Sequence, residues 1–329
     1  MSYLLRGIAA NGGIRVIAVD TTDLVAEATR RHHTTPTASA ALGRTLSGAL
    51  LLSHVLLKNP QDRVTLRLRG DGPLGGVIAE AGLDGTVRGY VTNPDVVLPP
   101  RPDGKLDVGG ALGGPGGDIQ VIRSHAPYGE PYRSSTELVS GEIAEDIAVF
   151  LAQSEQVHSA VLLGVYLEGG VVKQSGGVIL QALPGAEEGA LALLEANLKA
   201  FGQLTDAMQR MSLIELLEEL CWGLELDILT PDALPLSFAC RCSDEKAVDA
   251  LAYFPPDERE QMIAEDGGAE AVCHWCNEQR WITPEQIRSI SRNEVRCPDC
   301  GTLWHREGQA TMVREEERCA CGRPVALPA

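Results

Sequence analysis

Cysteine is the residue type whose number and spacing point most clearly to chemistry in this sequence. Eight of the nine cysteines lie after residue 239, and all eight occur in close pairs. Two such pairs supply the four thiolates that a tetrahedral zinc ion prefers, and these pairs are more typical of metal binding than of disulfides. Because four thiolates leave no open coordination position, the predicted zinc is structural or regulatory. In chain order, the first to fourth Cys pairs are Cys240/Cys242, Cys273/Cys276, Cys297/Cys300 and Cys319/Cys321.

The spacing leaves the grouping of the Cys pairs open. In one arrangement the first pair joins the second, and the third pair joins the fourth to form a second zinc site. In the other arrangement the second pair joins the third, because the 20 residues between them fit a common zinc-ribbon spacing. The ninth cysteine, Cys221, lies in a Leu-rich segment, which predicts that it is buried by packing and is not a ligand.

The charge of the chain limits which partners are expected, and its N-terminus and apolar runs indicate where it is located. With 28 basic and 45 acidic residues, the net charge is −17, which argues against nucleic acid or an anionic membrane as a partner. Apolar runs fall well short of the ~20 residues that span a bilayer. The N-terminus has no basic region followed by an apolar run, so we expect no signal peptide and a soluble, cytoplasmic protein.

Residues 1–185 are free of cysteine, and their mixture of strand and helix patterns predicts an α+β core domain. Apolar and β-branched runs predict strands, and the Asp84-Gly85 pair predicts a hairpin turn before a strand over Thr86–Val91. An Ala- and Leu-rich helix is expected over Thr37–Lys58, and another over Gly141–Gln153 with Ser140 as its N-cap. The other expected strands are Ile14–Val19, Val64–Arg69, Gln120–Arg123, Ala160–Leu167 and Val171–Gln181.

Residues 186–238 predict an amphipathic helical linker. Leu, Phe and Met recur at steps of three and four residues, and Ser212 with Glu215 forms a capping-box signature before a Leu-rich run. The apolar face of these helices must cover something, and the first domain is the expected partner. Beyond the linker we expect a small zinc domain over residues 239–290 and a zinc-ribbon-like extension over residues 291–329.

The remaining chemical patterns do not predict an enzyme. Gly70–Gly75 has the GxGxxG form of a dinucleotide site, but no long helix follows, so a loop between strands is expected. Glu142, Glu145, Asp146, Ser154 and Glu155 could suggest an acid, a base and a nucleophile. A solvated helix face is the favoured interpretation, because acids are common in the first turn of a helix.

The Cys pattern resembles the heat shock protein thirty-three family of redox-regulated bacterial chaperones. The motif Cys-x-Cys followed by Cys-x-x-Cys is that family's zinc signature, and here it reads Phe238–Ser243 and Cys273–Cys276. The resemblance covers residues 1 to about 290, and the chain then departs from the family by continuing through the third and fourth Cys pairs. Three further segments resemble sequence motifs that are typical of the family: Ser140–Ile147, Ser154–Gln156, and Gly176-Gly177 followed by Leu183–Gly185.

The resemblance implies an ATP-independent holdase that binds unfolding proteins under oxidative stress. It selects Cys240, Cys242, Cys273 and Cys276 as ligands of one Zn²⁺, and it leaves Cys297, Cys300, Cys319 and Cys321 for a second Zn²⁺. It further implies that oxidation forms the disulfides Cys240–Cys242 and Cys273–Cys276, releases zinc, unfolds the linker and yields a homodimer.

Two other functions fit parts of the sequence. The CPxCG-type third pair fits a zinc-ribbon module that binds nucleic acid or a protein, although the overall acidity and the absence of a basic stripe oppose this interpretation. The Cys273/Cys276 motif has the CxxC form of a thiol oxidoreductase, but no thioredoxin-like βαβ pattern surrounds it.

Overall fold

The structure is a computed structural model that describes residues 1–125, 129–229 and 233–290, together with the backbone of Glu294–Arg296 and Leu303–His305. Within these residues, mostly antiparallel sheets combine with ten helices, which confirms the predicted α+β class. The chain divides into two units. The first holds residues 1–125 and 130–240, and the second holds residue 129 and the described residues from 241 onward.

Twelve strands and seven helices of the described residues belong to the first unit. The strands are β1 (Tyr3–Ala9), β2 (Ile14–Asp20), β3 (Arg63–Arg69), β4 (Gly76–Gly82), β5 (Thr86–Val91), β6 (Asp118–Ser124), β7 (Tyr132–Glu137), β8 (Ser159–Glu168), β9 (Val171–Ala182), β10 (Asp227–Ile228), β11 (Leu234–Pro235) and β12 (Ser237–Phe238). The helices are α1 (Thr22–His32), α2 (Pro36–Leu56), α3 (Val108–Leu112), α4 (Ala144–Ser154), α5 (Glu188–Phe201), α6 (Leu204–Met208) and α7 (Leu213–Leu220).

The first unit contains two six-stranded sheets. The first sheet has the order β10-β1-β2-β9-β8, with β11 also pairing with β1, and its pairs are antiparallel. The second sheet has the order β12-β5-β4-β3-β6-β7 and is antiparallel except for the β12–β5 pair. The short β12 thus carries the end of the linker segment to the edge of the second sheet.

Helix α2 forms the centre of the main core. It begins with Pro36 at its first turn, which is a favoured position for proline, and it is rich in Ala and Leu. Sixteen of its 21 residues are buried, and it contacts strands of both sheets. Glycines allow close packing here, since a Cβ at Gly48 would lie 2.6 Å from the side chain of Ile147. No helix in the described ranges is long and apolar enough to cross a bilayer.

The start of α4 differs from the sequence prediction. The helix begins at Ala144, and Ser140 is not its N-cap, because Ser140 accepts a hydrogen bond from the Glu142 backbone N–H instead. The Asp146 carboxylate accepts four backbone N–H groups from residues 139, 140, 141 and 143 and is 1% exposed. Asp146 therefore organises the preceding loop, and its interpretation as part of a solvated face was wrong.

Helices α5, α6 and α7 lie in the segment predicted as an amphipathic helical linker, and each of them buries apolar residues. Their apolar residues form one buried cluster with the face of the first sheet that points away from α2. The capping box at the start of α7 is present, with Ser212 Oγ accepting from the Glu215 N–H and the Glu215 side chain accepting from the Ser212 N–H. The linker is thus a cover over an apolar sheet face.

Two cross-strand glycines leave room for α6 to pack closely on the sheet. Gly164 of β8 and Gly176 of β9 are cross-strand partners. A Cβ on Gly164 would lie 2.6 Å from the Thr205 methyl group, and one on Gly176 would lie 2.6 Å from Met208 Cε. Any side chain at these positions would therefore displace α6 or the strands beneath it.

The second unit contains a much smaller core than the first. Three hydrophobic side chains form its buried cluster, namely Leu251, Ile282 and Ile287. Its described elements are α8 (Asp244–Leu251), α9 (Pro256–Asp266), β13 (Ala269–Val272), β14 (Gln279–Ile282), α10 (Pro284–Ser289), β15 (Glu294–Arg296) and β16 (Leu303–His305), with β13 paired to β14 and β15 paired to β16.

The half-buried His54 should make the fold less stable in acid. Both of its ring nitrogens are buried with no hydrogen-bond partner, and burial together with the charge of Arg6 lowers the pKa of His54 from 6.5 to about 4. Between these two pH values His54 is protonated in the unfolded chain but stays neutral in the folded chain. The free energy of unfolding therefore falls as the pH drops from about 6.5 towards 4. The effect is at most about 3 kcal/mol.

His54→Leu should reduce this acid sensitivity, measured as the shift in urea midpoint between pH 7 and pH 4.5. His33→Asn is the matched control, because His33 is exposed and its φ of 52° suits asparagine. If His54→Leu loses as much stability in acid as the unmodified chain, His54 is not the responsible group.

Candidate metal centre

Cys240 and Cys242 lie between a strand and a helix. Strand β12 pairs with β5, and the Ala239 N–H extends this pairing by donating to the Val87 carbonyl. Helix α8 then begins at Asp244, with the Ser243 side chain accepting from the Lys246 N–H. The Cys-x-Cys segment is therefore fixed at both ends by regular backbone structure.

Cys273 and Cys276 lie in the tight turn between β13 and β14. The Cys273 carbonyl accepts from the N–H groups of Cys276 and Asn277 at 3.3 and 2.7 Å, and the Cys273 N–H donates to the Glu278 carbonyl. Asn277 has a φ of 56°, a left-handed conformation that asparagine tolerates better than most residues. The turn brings both thiols of the Cys-x-x-Cys motif to one end of the hairpin.

The first and second Cys pairs form a single cluster of thiols. The Sγ atoms of Cys240, Cys242, Cys273 and Cys276 all lie within 4.8 Å of one another. The Sγ atoms of Cys242 and Cys276 are 3.5 Å apart. Four sulfurs bound to zinc at ~2.3 Å would lie about 3.8 Å apart, so the cluster fits a tetrahedral metal ion with four sulfur ligands. Of the two groupings that the spacing left open, the structure brings together the first and second pairs.

Two arginines contact the cysteines of the first pair. Arg88 of β5 donates from Nη1 to Cys240 Sγ at 3.8 Å, and Arg280 of β14 donates from Nη2 to Cys242 Sγ at 3.7 Å. Sequence reasoning missed both residues. Arg88 precedes Cys240 by 152 residues, and only the pairing of β12 with β5 brings them together.

Cys221 differs from these thiols in its surroundings. It ends α7 within the apolar linker cluster and is 2% exposed, which confirms the prediction that it is a packing residue. Burial raises the pKa of Cys221 to about 11, so this thiol stays protonated at neutral pH. The third and fourth pairs, Cys297/Cys300 and Cys319/Cys321, lie outside the described residues.

Comparison with known proteins shows the family of this chain. The family profile described as Hsp33 protein, the heat shock protein thirty-three family, matches residues 2–283. A 33 kDa chaperonin of Thermus thermophilus is 52% identical over 338 aligned residues, which cover 100% of this chain and 98% of that protein. A 33 kDa chaperonin of Deinococcus radiodurans is 48% identical and covers 89% of this chain and 99% of its own length.

The fold agrees with that assignment. The crystal structure of the 33 kDa chaperonin (heat shock protein 33 homolog) from Thermotoga maritima superposes with a TM-score of 0.79 at 32% identity, covering 88% of this chain and 97% of that one. The Thermus thermophilus match also runs through the extension after residue 290, which the family profile does not reach. The family predicted from the cysteine motifs is thus confirmed, and this chain belongs to the Hsp33 family.

Proposed function

We propose that this chain is a redox-regulated, ATP-independent holdase that binds unfolding proteins after oxidation. Its relatives are named 33 kDa chaperonins, which supports a chaperone that is not an enzyme. The observation that carries the redox part is the cluster of four thiols, which follows in the chain directly after a linker that covers an apolar sheet face. Zn²⁺ is the proposed metal, because it favours four thiolate ligands.

Metal binding outweighs the intrinsic stability of the second unit. Residues 241–290 contain a buried cluster of three hydrophobic side chains, and ~0.05–0.15 kcal/mol per residue amounts to only a few kcal/mol. Zinc binding at structural sites contributes about 10–16 kcal/mol. Loss of the metal therefore leaves a fold that is too weak to persist.

Oxidation removes the ligands by converting them to disulfides. One thiolate attacks a peroxide oxygen, the O–O bond breaks, and a sulfenic acid forms with release of hydroxide. The neighbouring thiolate then attacks that sulfur and forms the S–S bond with loss of a second hydroxide, which takes up a proton to give water. Each disulfide thus consumes one peroxide, and the proposed products are Cys240–Cys242 and Cys273–Cys276.

Release of the linker exposes the surface that binds clients. Helices α5–α7 and the sheet beneath them share a buried apolar cluster, so both surfaces become accessible when the linker detaches. A contiguous apolar patch binds unfolded chains with little sequence preference. The net charge of −17 keeps such an exposed form soluble.

The remaining proposals follow from the family and the sequence. The oxidised form is a homodimer, and the protein acts in the cytoplasm, where thiols stay reduced until stress. The proposed divisions are a substrate-binding domain over 1–185, a linker over 186–238, a redox-switch domain over 239–290 and an extension over 291–329. The extension carries a second Zn²⁺ on Cys297, Cys300, Cys319 and Cys321.

The geometry favours neither alternative function. Cys273 and Cys276 lie in a turn between antiparallel strands, whereas the CxxC motif of a thiol oxidoreductase lies at the start of a helix. No observation in the described residues supports a nucleic-acid interface, and the net charge opposes one.

The proposal is tested by following metal and client together. The zinc-loaded chain is treated with hydrogen peroxide at mild heat, and zinc release and light scattering of a thermally unfolding client are recorded. We expect zinc release to precede suppression of aggregation, and reductant to reverse both. Suppression that is equally strong before oxidation, or oxidation that releases no zinc, would refute the switch.

A further inference from the structure

Arg88 and Arg280 each contact one acidic side chain and one cysteine sulfur, although they lie in different sheets. Arg88 binds the Glu80 carboxylate through Nε and Nη2, both at 3.2 Å, and uses Nη1 for Cys240 Sγ. Arg280 uses Nη1 for Asp244 and Nη2 for Cys242 Sγ. In each case an acidic side chain orients the guanidinium, and a separate N–H group points at sulfur.

The surrounding strands fix the position of Arg88. Glu80 and Arg88 are direct cross-strand partners in the β4–β5 ladder, and their side chains are 15% and 17% exposed. The neighbouring Val87 pairs with Phe238 and accepts from the Ala239 N–H. The backbone pairing that delivers Cys240 to the site therefore also places it beside Arg88.

A metal site with four thiolates needs positive charge nearby. Four thiolates and one divalent cation sum to 2 − 4 = −2, and Cys276 is only 1% exposed. A partly buried net negative charge is costly unless it is paired. Because Glu80 and Asp244 already offset the formal charges of the two guanidiniums, the arginines would stabilise this charge locally, through N–H groups that point at sulfur and withdraw electron density from it.

We propose that Arg88 and Arg280 are positioning residues of the switch, which stabilise the Cys240 and Cys242 thiolates in the metal-bound state and thereby set how tightly metal is held and how fast oxidant removes it. This inference rests on the proposed function. It adds two residues outside the cysteine motifs to the control of the same site. Both act through sulfur, because metal ligands depend on the groups that hydrogen-bond to them.

Removing either guanidinium should weaken metal binding and speed its oxidative loss. Arg88→Met and Arg280→Met are each expected to lower zinc affinity about tenfold, and the double variant up to about 100-fold, as is typical for partners of metal ligands. Less hydrogen-bonded thiolates are also better nucleophiles, so peroxide should release zinc faster from each variant. Arg88→Lys retains the charge without the fork and should give intermediate values.

Three measurements on the full, reduced chain test this inference without a client protein. Chelator competition gives zinc affinity, and stopped-flow release after peroxide addition gives the rate. The cobalt(II)-loaded chain gives the sulfur-to-cobalt charge-transfer band, which should move to lower energy when an N–H···S contact is lost. A change in fold stability alone would not shift that band.

Arg63→Met is the matched control for Arg88→Met. Arg63 lies in the same sheet, is 14% exposed and pairs with Asp84 at 2.6 Å, but the structure gives it no contact with a thiol. Its zinc affinity should stay within about twofold of that of the unmodified chain. Its sulfur-to-cobalt charge-transfer band should keep the energy that it has in the unmodified chain. If Arg88→Met does not fold, Arg280→Met and Arg88→Lys carry the same test.

The outcomes separate this inference from the proposed function. If the unmodified chain binds zinc and responds to peroxide while both folded arginine variants keep its affinity, release rate and cobalt band, the arginines have no role at the site. If the unmodified chain binds no metal at residues 240–276, the proposed function itself fails.

Discussion

Replacing Leu216 with alanine is expected to activate the chain without any oxidant. Leu216 lies in α7, is fully buried and belongs to the cluster between the linker and the first sheet. A buried Leu→Ala change costs about 2–5 kcal/mol, which raises the population of the detached linker roughly 30-fold to 4,000-fold. The reduced, zinc-loaded variant should therefore suppress aggregation of a thermally unfolding client, measured by light scattering.

Ile214→Ala provides the control on the same helix. Ile214 is 45% exposed, so losing its side chain removes little buried contact. This variant should remain inactive until it is oxidised. The linker would not be the regulatory cover if Leu216→Ala stayed inactive while its linker became accessible to limited proteolysis, or if both variants were equally active.

Replacing Cys276 with serine is expected to unfold the second unit and to leave the chaperone permanently active. Cys276 is buried, and its Sγ lies 3.5 Å from that of Cys242. Removing one of four thiolates forfeits much of the ~10–16 kcal/mol of metal binding, which exceeds the few kcal/mol that the unit itself supplies. Metal analysis should give one zinc fewer per chain than the unmodified protein, and client aggregation should be suppressed without peroxide.

Cys221→Ala is the matched control, because it also removes one buried thiol. Cys221 lies in the linker cluster and outside the four-thiol cluster, so the zinc content should not change. A Cys276→Ser chain that keeps the full zinc content, or that loses zinc and stays inactive, would contradict the proposed coupling between metal and activity.

Local signals in the sequence predicted the elements that depend on neighbouring residues. The Asp84-Gly85 turn is present with Gly85 at a φ of 76°, and Thr86–Val91 forms β5. Ser212 and Glu215 cap α7 as their spacing indicated. The Cys spacing predicted metal-binding pairs but left their grouping open; the family resemblance selected the first and second pairs, which the structure brings together across 30 residues.

Features that depend on distant pairing could not be predicted from the sequence. Strand β7 (Tyr132–Glu137) has mostly polar residues, and it forms because it pairs with the edge of β6. The predicted start of α4 was wrong because the Asp146 carboxylate accepts hydrogen bonds from the preceding backbone N–H groups, and Ile143 there adopts a φ of 72°. Arg88 carries no motif, and its contact with Cys240 follows from a two-residue strand pair.

The central claim is that the bound metal keeps the linker helices packed on the first sheet. Its most direct test is hydrogen exchange on the reduced chain before and after a chelator removes the metal. Reductant excludes disulfides, so only the loss of metal distinguishes the two samples. We expect protection to disappear over 244–289 and over the linker helices α5–α7 (188–220), while α2 keeps its protection because its core is independent of the site. Linker amides that stay equally protected in the metal-free chain would show that the metal does not hold the linker in place.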